Sequence, residues 1–431
     1  MEKDKLLPIL SSFVALAIIF GFLPEISRAQ QLEESCITCH AALAGKLAEP
    51  VEQLKKSVHA GARVSCADCH RGDPTTTDMA KSMSKERGFV GKPNPKEIPG
   101  LCGRCHSDVA RMRPYNLRTD QYAEYRISQH GKRLFERGDT NVAVCTSCHG
   151  THEIRKKDDP LSPVSHRQVQ ETCARCHSDK GKMKVYNLPT DQLEEFKQSY
   201  HGQILYGLIK EKNPALAPSC PTCHGIHGAT PPGVKEVAIV CGNCHTTTAT
   251  YFGQSPHFLA VQRVGMPRCI NCHGNHKIEF PKPEEMFIGN KPGSCVSCHQ
   301  ADSLEYARAQ QLYALSKEAT NALKKAEENL KSVEKAGLNV DQLRENLETA
   351  RTKIVEARPI SHTLNVEKVQ KLTQEAVQQS EKLGGLSETV RQDVKKRKQA
   401  FALMIILLGL IVGLIYQKRK IIMKDWLKKK S

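Results

Sequence analysis

The sequence predicts a mainly α-helical chain with much irregular loop up to residue 300, followed by a helical hairpin or bundle and one transmembrane helix. Three observations lead to this fold class. A five-residue cysteine motif recurs through residues 36–299, and cysteine then disappears where long amphipathic runs begin near Ser303. Finally, an uncharged apolar run extends from Ala400 to Tyr416. Aromatic residues make up only 5% of the chain, so a conventional side-chain core is not expected in the first part.

The recurring motif is C-x-x-C-H, and its nine copies use all 18 cysteines of the chain. We number the copies clamps 1 to 9 in sequence order. Their cysteine pairs are Cys36 and Cys39, Cys66 and Cys69, Cys102 and Cys105, Cys145 and Cys148, Cys173 and Cys176, Cys220 and Cys223, Cys241 and Cys244, Cys269 and Cys272, and Cys295 and Cys298. The histidines that complete them are His40, His70, His106, His149, His177, His224, His245, His273 and His299.

This spacing is typical of covalent haem attachment. Two thiols separated by two residues add to the two vinyl groups of one porphyrin edge, and the next histidine becomes the proximal iron ligand. Structural zinc sites and a disulfide framework are the alternatives, but neither requires a histidine after the second cysteine. Histidine fills only 18 of 431 positions, so nine histidines after nine pairs are not chance. The sequence therefore predicts nine haem c groups, stacked inside a domain that wraps around them.

Nine further histidines match the number of sixth ligands that nine irons need. They are His59, His130, His152, His166, His201, His227, His257, His276 and His362. His166 has no counterpart in the second repeat described below, and His362 lies between predicted helices, so these two have the least support. Six methionines are alternative ligands: Met79, Met83, Met112, Met183, Met266 and Met286. If every iron is six-coordinate, the protein only transfers electrons, whereas an open iron allows small-molecule redox chemistry.

A long internal repeat connects two of the haem modules. LCGRCHSD-x6-YNLRTDQ-x8-HG begins at Leu101, and TCARCHSD-x6-YNLPTDQ-x8-HG begins at Thr172, so equivalent positions are offset by 71. In each copy the threonine of TDQ, Thr119 or Thr190, is the predicted N-cap of a helix with a histidine at its far end. A clamp of the form C-x-x-C-H-G-x-H follows. His257 and His59 indicate a shortened third module and a fourth.

The chain after Ser303 has helical spacing of apolar residues. It predicts one helix to Ala336, a second from Asp341 to about Ala357, and a third that ends at Gly384 and Gly385. A last helix then continues from Ser387 into the membrane. The predicted domains are a signal peptide at 1–29, a nine-haem domain at 30–300, a helical hairpin or bundle at 301–398, a transmembrane helix at 399–417 and a basic tail at 418–431.

The two apolar segments place the chain at a membrane. Lys3 and Lys5, the apolar run from Leu6 to Leu23 and the small residues Ser27 and Ala29 are typical of a cleaved secretory signal. An uncleaved anchor is the alternative. The 17 residues from Ala400 to Tyr416 span about 25 Å as a helix, against a hydrocarbon core of about 30 Å. A buried core helix is the alternative reading of that run.

Haem c is attached outside the cytoplasm, so we expect a single-pass protein of the inner membrane with its haem domain in the periplasm. The net charge of +17 does not indicate nucleic-acid binding, because residues 418–431 and 395–398 account for +10 of it. Haem propionates would offset the rest.

The C-x-x-C-H-G-x-H units with an upstream S-x-H resemble the multihaem cytochromes c over residues 32 to 300. Cytochrome c3-like doubled-motif proteins and the membrane-anchored quinol dehydrogenases belong to this family. The resemblance implies stacked haems that form an electron wire. Haem motifs followed by a helical bundle also resemble octahaem hydroxylamine oxidoreductases and pentahaem nitrite reductases, which implies an enzyme.

The favoured function is electron relay in anaerobic respiration. The predicted partners are a quinol-oxidising membrane complex or cytochrome b, other multihaem cytochromes, and the bilayer through the C-terminal helix, with no nucleic acid. The alternative is an oxidoreductase acting on a small nitrogen or sulfur compound, such as nitrite, hydroxylamine or tetrathionate, at one five-coordinate haem. No catalytic residue is assigned, and the pattern favours an electron-transfer protein over a substrate-specific enzyme.

Overall fold

The computed structural model describes residues 34–229, 240–265, 268–335 and 340–430, with side chains described to residue 427. The predicted signal peptide and Met266 lie outside the described residues. Every regular element in the described part is a helix, and irregular loops connect the short helices before residue 300. The prediction of a mainly α-helical chain with much loop is therefore confirmed.

The chain divides into two compact units. The first comprises residues 1–190 and 218–231. Its α-helices are Ser35–Ala41, Glu49–Lys55, Val58–Gly61, Cys66–His70, Met79–Ser82, Ile98–His106, Val109–Met112, Gln121–Ile127, Gln129–Arg137, Cys145–His149, Val169–His177, Lys180–Lys184 and Cys220–His224. Three 3-10 helices accompany them, at Gly45–Leu47, Lys85–Arg87 and Arg113–Tyr115.

The second unit comprises residues 191–217 and 232–431. Its α-helices are Gln192–Gln198, Tyr200–Leu205, Cys241–Cys244, Thr246–Phe252, Pro256–Val264, Cys269–His273, Leu304–Lys335, Asp341–Ile360 and Val366–Lys430. Three 3-10 helices lie at Pro214–Leu216, Cys295–Ser297 and Ser361–Thr363. A short π-helix spans Glu284–Ile288.

The first unit has only a small side-chain core. Tyr125, Leu134 and Val144 form its buried apolar cluster among the described residues, and the Tyr125 hydroxyl donates to the Ala143 carbonyl at 2.8 Å. A cluster of three residues is far too small to fold a unit of this length by itself. Such a small side-chain core agrees with the expectation of a domain wrapped around cofactors.

The long internal repeat is visible in the backbone, with one difference from the prediction. Asn116 and Asn187 both adopt a left-handed conformation, with φ of 52°. However, each predicted helix is broken into two at a serine. In the first copy the helix Gln121–Ile127 ends at Ser128, whose ψ of 165° is extended, and a second helix begins at Gln129. The histidine therefore starts a helix, and the predicted caps Thr119 and Thr190 do not cap it.

The last third of the chain forms a bundle of three helices, which we call bundle helices 1 (Leu304–Lys335), 2 (Asp341–Ile360) and 3 (Val366–Lys430). Their shared core contains Ala326, Leu330, Val333, Val340, Leu343, Leu347 and Leu383, all at most 6% exposed. Packing of apolar stripes from the three helices stabilises the bundle.

Bundle helix 3 does not end at Gly384 and Gly385, which corrects the sequence prediction. It continues without a break to Lys430. A glycine inside a helix costs only about 1 kcal/mol relative to alanine. Leu383 and Ser387, on either side of the glycine pair, are 0% and 1% exposed, so packing against the other bundle helices offsets that cost. The same helix is long and apolar enough to cross a membrane, and its apolar window is fully exposed.

Candidate haem-binding sites

Short helices shape the clamps. Eight of them form an α-helical turn, and clamp 9 forms a 3-10 turn at Cys295–Ser297. A helix places residues three and four positions apart on the same face. The two cysteines and the following histidine of one clamp therefore point to one side, as thioether attachment with axial ligation requires.

The even-numbered clamps 2, 4, 6 and 8 are separate short helices, and a side chain of the motif itself caps the start of each helix. The residue before the first cysteine donates its backbone N–H to the side chain between the cysteines. The acceptors are Asp68 at 2.7 Å, Ser147 at 3.0 Å, Thr222 at 3.0 Å and Asn271 at 2.7 Å. This bond satisfies a backbone donor that the helix start would leave unpaired.

The residue after each of these four histidines has a positive φ that ends the helix. It is Gly150, Gly225 or Gly274 in clamps 4, 6 and 8, with φ of 83°, 81° and 76°. In clamp 2 the same position is Arg71, with φ of 58°. Glycine adopts this conformation without steric cost, which explains the C-x-x-C-H-G form of three of the clamps.

A capping serine positions four of the distal histidines. His59, His130, His201 and His257 each stand two residues after a buried serine, at the start of a helix. Ser128 and Ser199 accept the backbone N–H of Gly131 at 3.0 Å and of Gly202 at 2.9 Å. Ser57 and Ser255 make the equivalent caps to His59 and Phe258. The serines were missed as functional residues, although the fourfold S-x-H pattern was a signal for them.

Backbone hydrogen bonds tie the helices that bear His59, His130 and His201 to the segment after a C-H-G-x-H sequence. The backbone N–H of Val58 donates to the Ile154 carbonyl at 2.8 Å, and that of Tyr200 donates to the Ile278 carbonyl at 2.8 Å. The acceptors lie two residues after His152 and His276. Similarly, the backbone N–H of Gln129 donates to the Ala229 carbonyl at 3.4 Å. Backbone hydrogen bonds thus hold each of these S-x-H helices beside the last histidine of a C-H-G-x-H sequence.

Seven pairs of histidine rings face each other in the described residues. The proximal histidines His106, His177, His245 and His299 pair with an S-x-H histidine, respectively His59, His130, His201 and His257. The proximal histidines His70 and His149 pair with His152 and His227, and His273 pairs with His362. The pairing follows a rule: each S-x-H histidine serves the clamp after the one that it precedes.

The geometry of these pairs fits one iron between two imidazoles. All seven centre-to-centre distances lie between 6.0 and 6.2 Å, although the angle between the ring planes varies from 8° to 67°. Direct ring packing has a broad range of distances, about 4.5–7 Å. Two metal–nitrogen bonds of about 2.0–2.1 Å, with the ring radii added, give roughly 6 Å while leaving ring rotation free. A fixed distance with a free angle therefore indicates a shared metal.

Several ligand candidates have their second ring nitrogen fixed. His40 Nδ1 lies 2.9 Å from the Leu47 carbonyl, and His70 Nδ1 lies 2.6 Å from the Gly91 carbonyl. His362 Nδ1 lies 3.2 Å from the carbonyls of Arg358 and Pro359. A carbonyl only accepts, so Nδ1 donates and Nε2 is left to bind metal. Gly91 lies in the segment between clamps 2 and 3, so that segment has a role in orienting His70.

In two further histidines a glutamate carboxylate, rather than a backbone carbonyl, lies near Nδ1, at a longer distance. His227 Nδ1 lies 3.7 Å from Glu124, and His276 Nδ1 lies 3.7 Å from Glu195. Glu124 and Glu195 occupy equivalent positions of the long internal repeat.

Burial lowers the pKa of His149 and His273 to about 4, with a smaller effect of the facing histidine. The rings are thus neutral at physiological pH, which metal ligation requires.

Four predicted ligands lie outside these seven pairs. His40 has no ring contact with another histidine in the described part of the chain, and the side chain of His166 is exposed. His224 and His276 each make a polar, ionic or ring contact. Ligation by these four, as by the paired histidines, stays a prediction.

Among the methionines predicted as alternative ligands, Met112 and Met183 are buried at equivalent positions of the repeat, whereas Met79 is 69% exposed.

The cysteines do not form the alternative sites. All 18 are free of disulfides, and no three metal-binding side chains converge within the described residues as a zinc site would need. Instead, first cysteines of adjacent clamps lie beside each other: Cys102 and Cys145, Cys173 and Cys220, and Cys241 and Cys269. Clamps that are neighbours in sequence are therefore neighbours in space within each unit.

Comparison with known proteins agrees with this site. Residues 58–178, which contain clamps 2 to 5, match the family model described as Cytochrome c3. The prediction of a multihaem cytochrome c family is thereby confirmed for this segment, and the family implies covalently bound haem c and haem-based electron transfer. No curated protein and no solved structure matches the chain.

Proposed function

We propose that this chain, with its cytochrome c3-like segment, is a membrane-anchored periplasmic nonahaem cytochrome c that relays electrons in anaerobic respiration. The single observation that supports the proposal best is the set of seven histidine pairs at 6.0–6.2 Å, which extends beyond the matched segment into the second unit. Iron held by two histidines has no site for a substrate, so transfer of electrons is the chemistry that remains.

The protein residues have three tasks in this function. The paired cysteines would hold each cofactor covalently, the facing histidines would bind its iron, and the serine caps and carbonyl acceptors fix the histidine rings. Haem bound in this way supplies reversible one-electron chemistry at iron. Because the ligands are fixed by helix caps, the site changes little between the two charge states, which favours fast transfer.

The proposed setting is the inner membrane, with the clamps on the periplasmic side. The apolar stretch of bundle helix 3 would cross the bilayer, and the basic tail would lie at the cytoplasmic surface. The proposed donor is a quinol-oxidising membrane complex or cytochrome b, and the acceptors are other multihaem cytochromes.

A redox titration of the full-length protein in detergent tests this proposal. We expect uptake of nine electrons per chain and complete reoxidation by a soluble multihaem cytochrome c. Electron paramagnetic resonance of the oxidised protein should show low-spin ferric signals for the histidine pairs. High-spin ferric iron at clamps 2 to 5, or failure to pass electrons to any cytochrome, would contradict the proposal.

A second candidate function rests on clamp 1. His40 is oriented by the Leu47 carbonyl as a ligand, yet no second histidine faces it in the described residues. Residues 1–33, which lie outside the described part, contain no histidine in their sequence. If the iron of clamp 1 has an open position, the protein could bind and reduce a small nitrogen or sulfur compound there.

Carbon monoxide binding to the reduced protein distinguishes the two functions. An open clamp 1 predicts about one CO per chain in the wild type, and the same number in His166→Ala. Absence of CO binding in the wild type, with about one CO bound in His166→Ala, would show that His166 is the sixth ligand and would exclude the enzyme function at clamp 1.

A further inference from the structure

The three-helix bundle joins the cofactor sites to the membrane segment in a defined order. Bundle helix 1 begins five residues after the proximal histidine His299 of clamp 9. Bundle helix 2 ends at a 3-10 turn that contains His362, whose ring faces His273 of clamp 8. Bundle helix 3 begins at Val366, four residues beyond His362. Clamps 8 and 9 therefore lie at one end of the bundle, and the apolar segment lies beyond the other.

Further contacts fix that end of the bundle to the haem-binding part of the second unit. The Arg358 guanidinium lies over the Phe280 ring at 5.2 Å, and the Lys368 amine donates to the Gln254 side chain at 3.2 Å. Leu364 has a positive φ of 56°, which reverses the chain between bundle helices 2 and 3. The turn at Leu364 and the contacts with Phe280 and Gln254 therefore fix the position of His362.

Salt bridges between the bundle helices make the bundle rigid. Salt bridges join bundle helix 1 to bundle helix 2 at Arg351 and Glu327, 2.7 Å apart, and at Arg344 and Glu334, 2.9 Å apart. Lys353 of bundle helix 2 pairs with Glu375 of bundle helix 3 at 3.1 Å. Exposed pairs of this kind add little stability each, but together with the apolar core they fix the register of the helices.

The length of bundle helix 3 measures the separation. From Val366 to Ala400, where the apolar run starts, the helix rises 34 steps of about 1.5 Å, or about 51 Å. A tilt of about 40°, at the upper end for membrane helices, still leaves about 39 Å. The headgroup layer takes up roughly 6 Å of this height.

We propose that the bundle is a rigid spacer that holds clamps 8 and 9 about 30–45 Å above the membrane surface. No C-x-x-C-H motif occurs in residues 303–431, so the spacer has no cofactor of its own along which electrons could step. Electron tunnelling weakens steeply with distance and does not cross such a gap. A quinol confined to the bilayer therefore cannot reduce these sites directly.

This height narrows the partner of the proposed electron relay, on which the inference rests. The protein that reduces clamps 8 and 9 directly must bring a redox centre to this height, either as a water-soluble redox protein or as a membrane complex with a tall periplasmic domain. Of the two, the membrane complex agrees with the proposed quinol-oxidising donor.

The height can be measured without any electron transfer. In lipid nanodiscs, cryo-electron microscopy of the full-length holoprotein should show the haem density of clamps 8 and 9, at the end of the bundle, at least about 30 Å from the headgroup surface. The matched variant duplicates residues 392–398, which lie in the single helix between the bundle core and the apolar run. Seven added residues should raise the haem density by about 10 Å. A haem layer within about 15 Å of the lipid, or no change on duplication, would overturn the spacer.

A second measurement tests the consequence for the partner. In the same nanodiscs, a quinol with a long isoprenoid tail should reduce the haems of clamps 8 and 9 much more slowly than a short-chain water-soluble quinol does. Equal reduction by both would refute the inference about the donor even if the height is as proposed. Failure of both, with a normal redox titration by dithionite, would overturn the relay from quinols but not the spacer.

Discussion

The replacement His362→Ala tests the least expected ligand of the second unit. His362 faces His273 with ring centres 6.1 Å apart, and its Nδ1 is held by two carbonyls at 3.2 Å. Alanine removes the sixth ligand of clamp 8 and leaves the other six described pairs untouched. One iron in nine should therefore change from low spin to high spin. Carbon monoxide binding should rise by about one molecule per chain.

The assay is quantitative electron paramagnetic resonance of the oxidised full-length protein, with CO titration of the reduced form. His362→Met is the informative second variant, because methionine can also bind haem iron and should keep clamp 8 low-spin at a higher potential. Ser361→Ala is the matched control, since it removes a hydroxyl bond to the Arg358 carbonyl from the same turn but no ligand. A low-spin spectrum in His362→Ala identical to that of the wild type would refute the assignment.

Three further changes have defined outcomes. In Gly131→Ala a Cβ would overlap the Tyr125 carbonyl oxygen, so chemical denaturation should show a loss of about 1–3 kcal/mol, whereas Gly61→Ala, with open space around it, should be nearly neutral. Arg71→Gly relieves the positive φ after clamp 2 and should stabilise the protein by about 1 kcal/mol in the same assay; a loss of stability would contradict the strain. Ser199→Ala removes the cap of the His201 helix and should cost about 1 kcal/mol, with Ser199→Asn retaining most of the stability; equal losses would argue against capping.

The cofactor chemistry could be predicted from the sequence because it is local. A C-x-x-C-H motif contains its thiols and its proximal ligand within one short segment, and the long internal repeat identifies equivalent positions in two modules. The number of spare histidines also indicated bis-histidine ligation. What the motif could not provide was the partner of each proximal histidine, since His59 reaches clamp 3 and His152 reaches clamp 2 across long loops.

The errors came from local rules that tertiary contacts override. Thr119 was a good N-cap by residue type, but the helix Gln121–Ile127 follows Asp120 without a side-chain cap. Ser128 caps the second helix, and its buried hydroxyl also donates to the Tyr125 carbonyl at 2.6 Å. Gly384 and Gly385 looked like a helix end, but the packing of Leu383 and Ser387 continues the helix. Because this continuation determines the length of the spacer, the spacer could not be predicted from the sequence pattern.

The intact mass of the purified full-length protein is the most direct test of the nonahaem assignment. Nine clamps with their thiols in thioether bonds predict the polypeptide mass plus nine haem groups, with no free thiol available for alkylation. A mass corresponding to fewer than nine haems, with alkylated cysteines at the remaining clamps, would contradict that assignment.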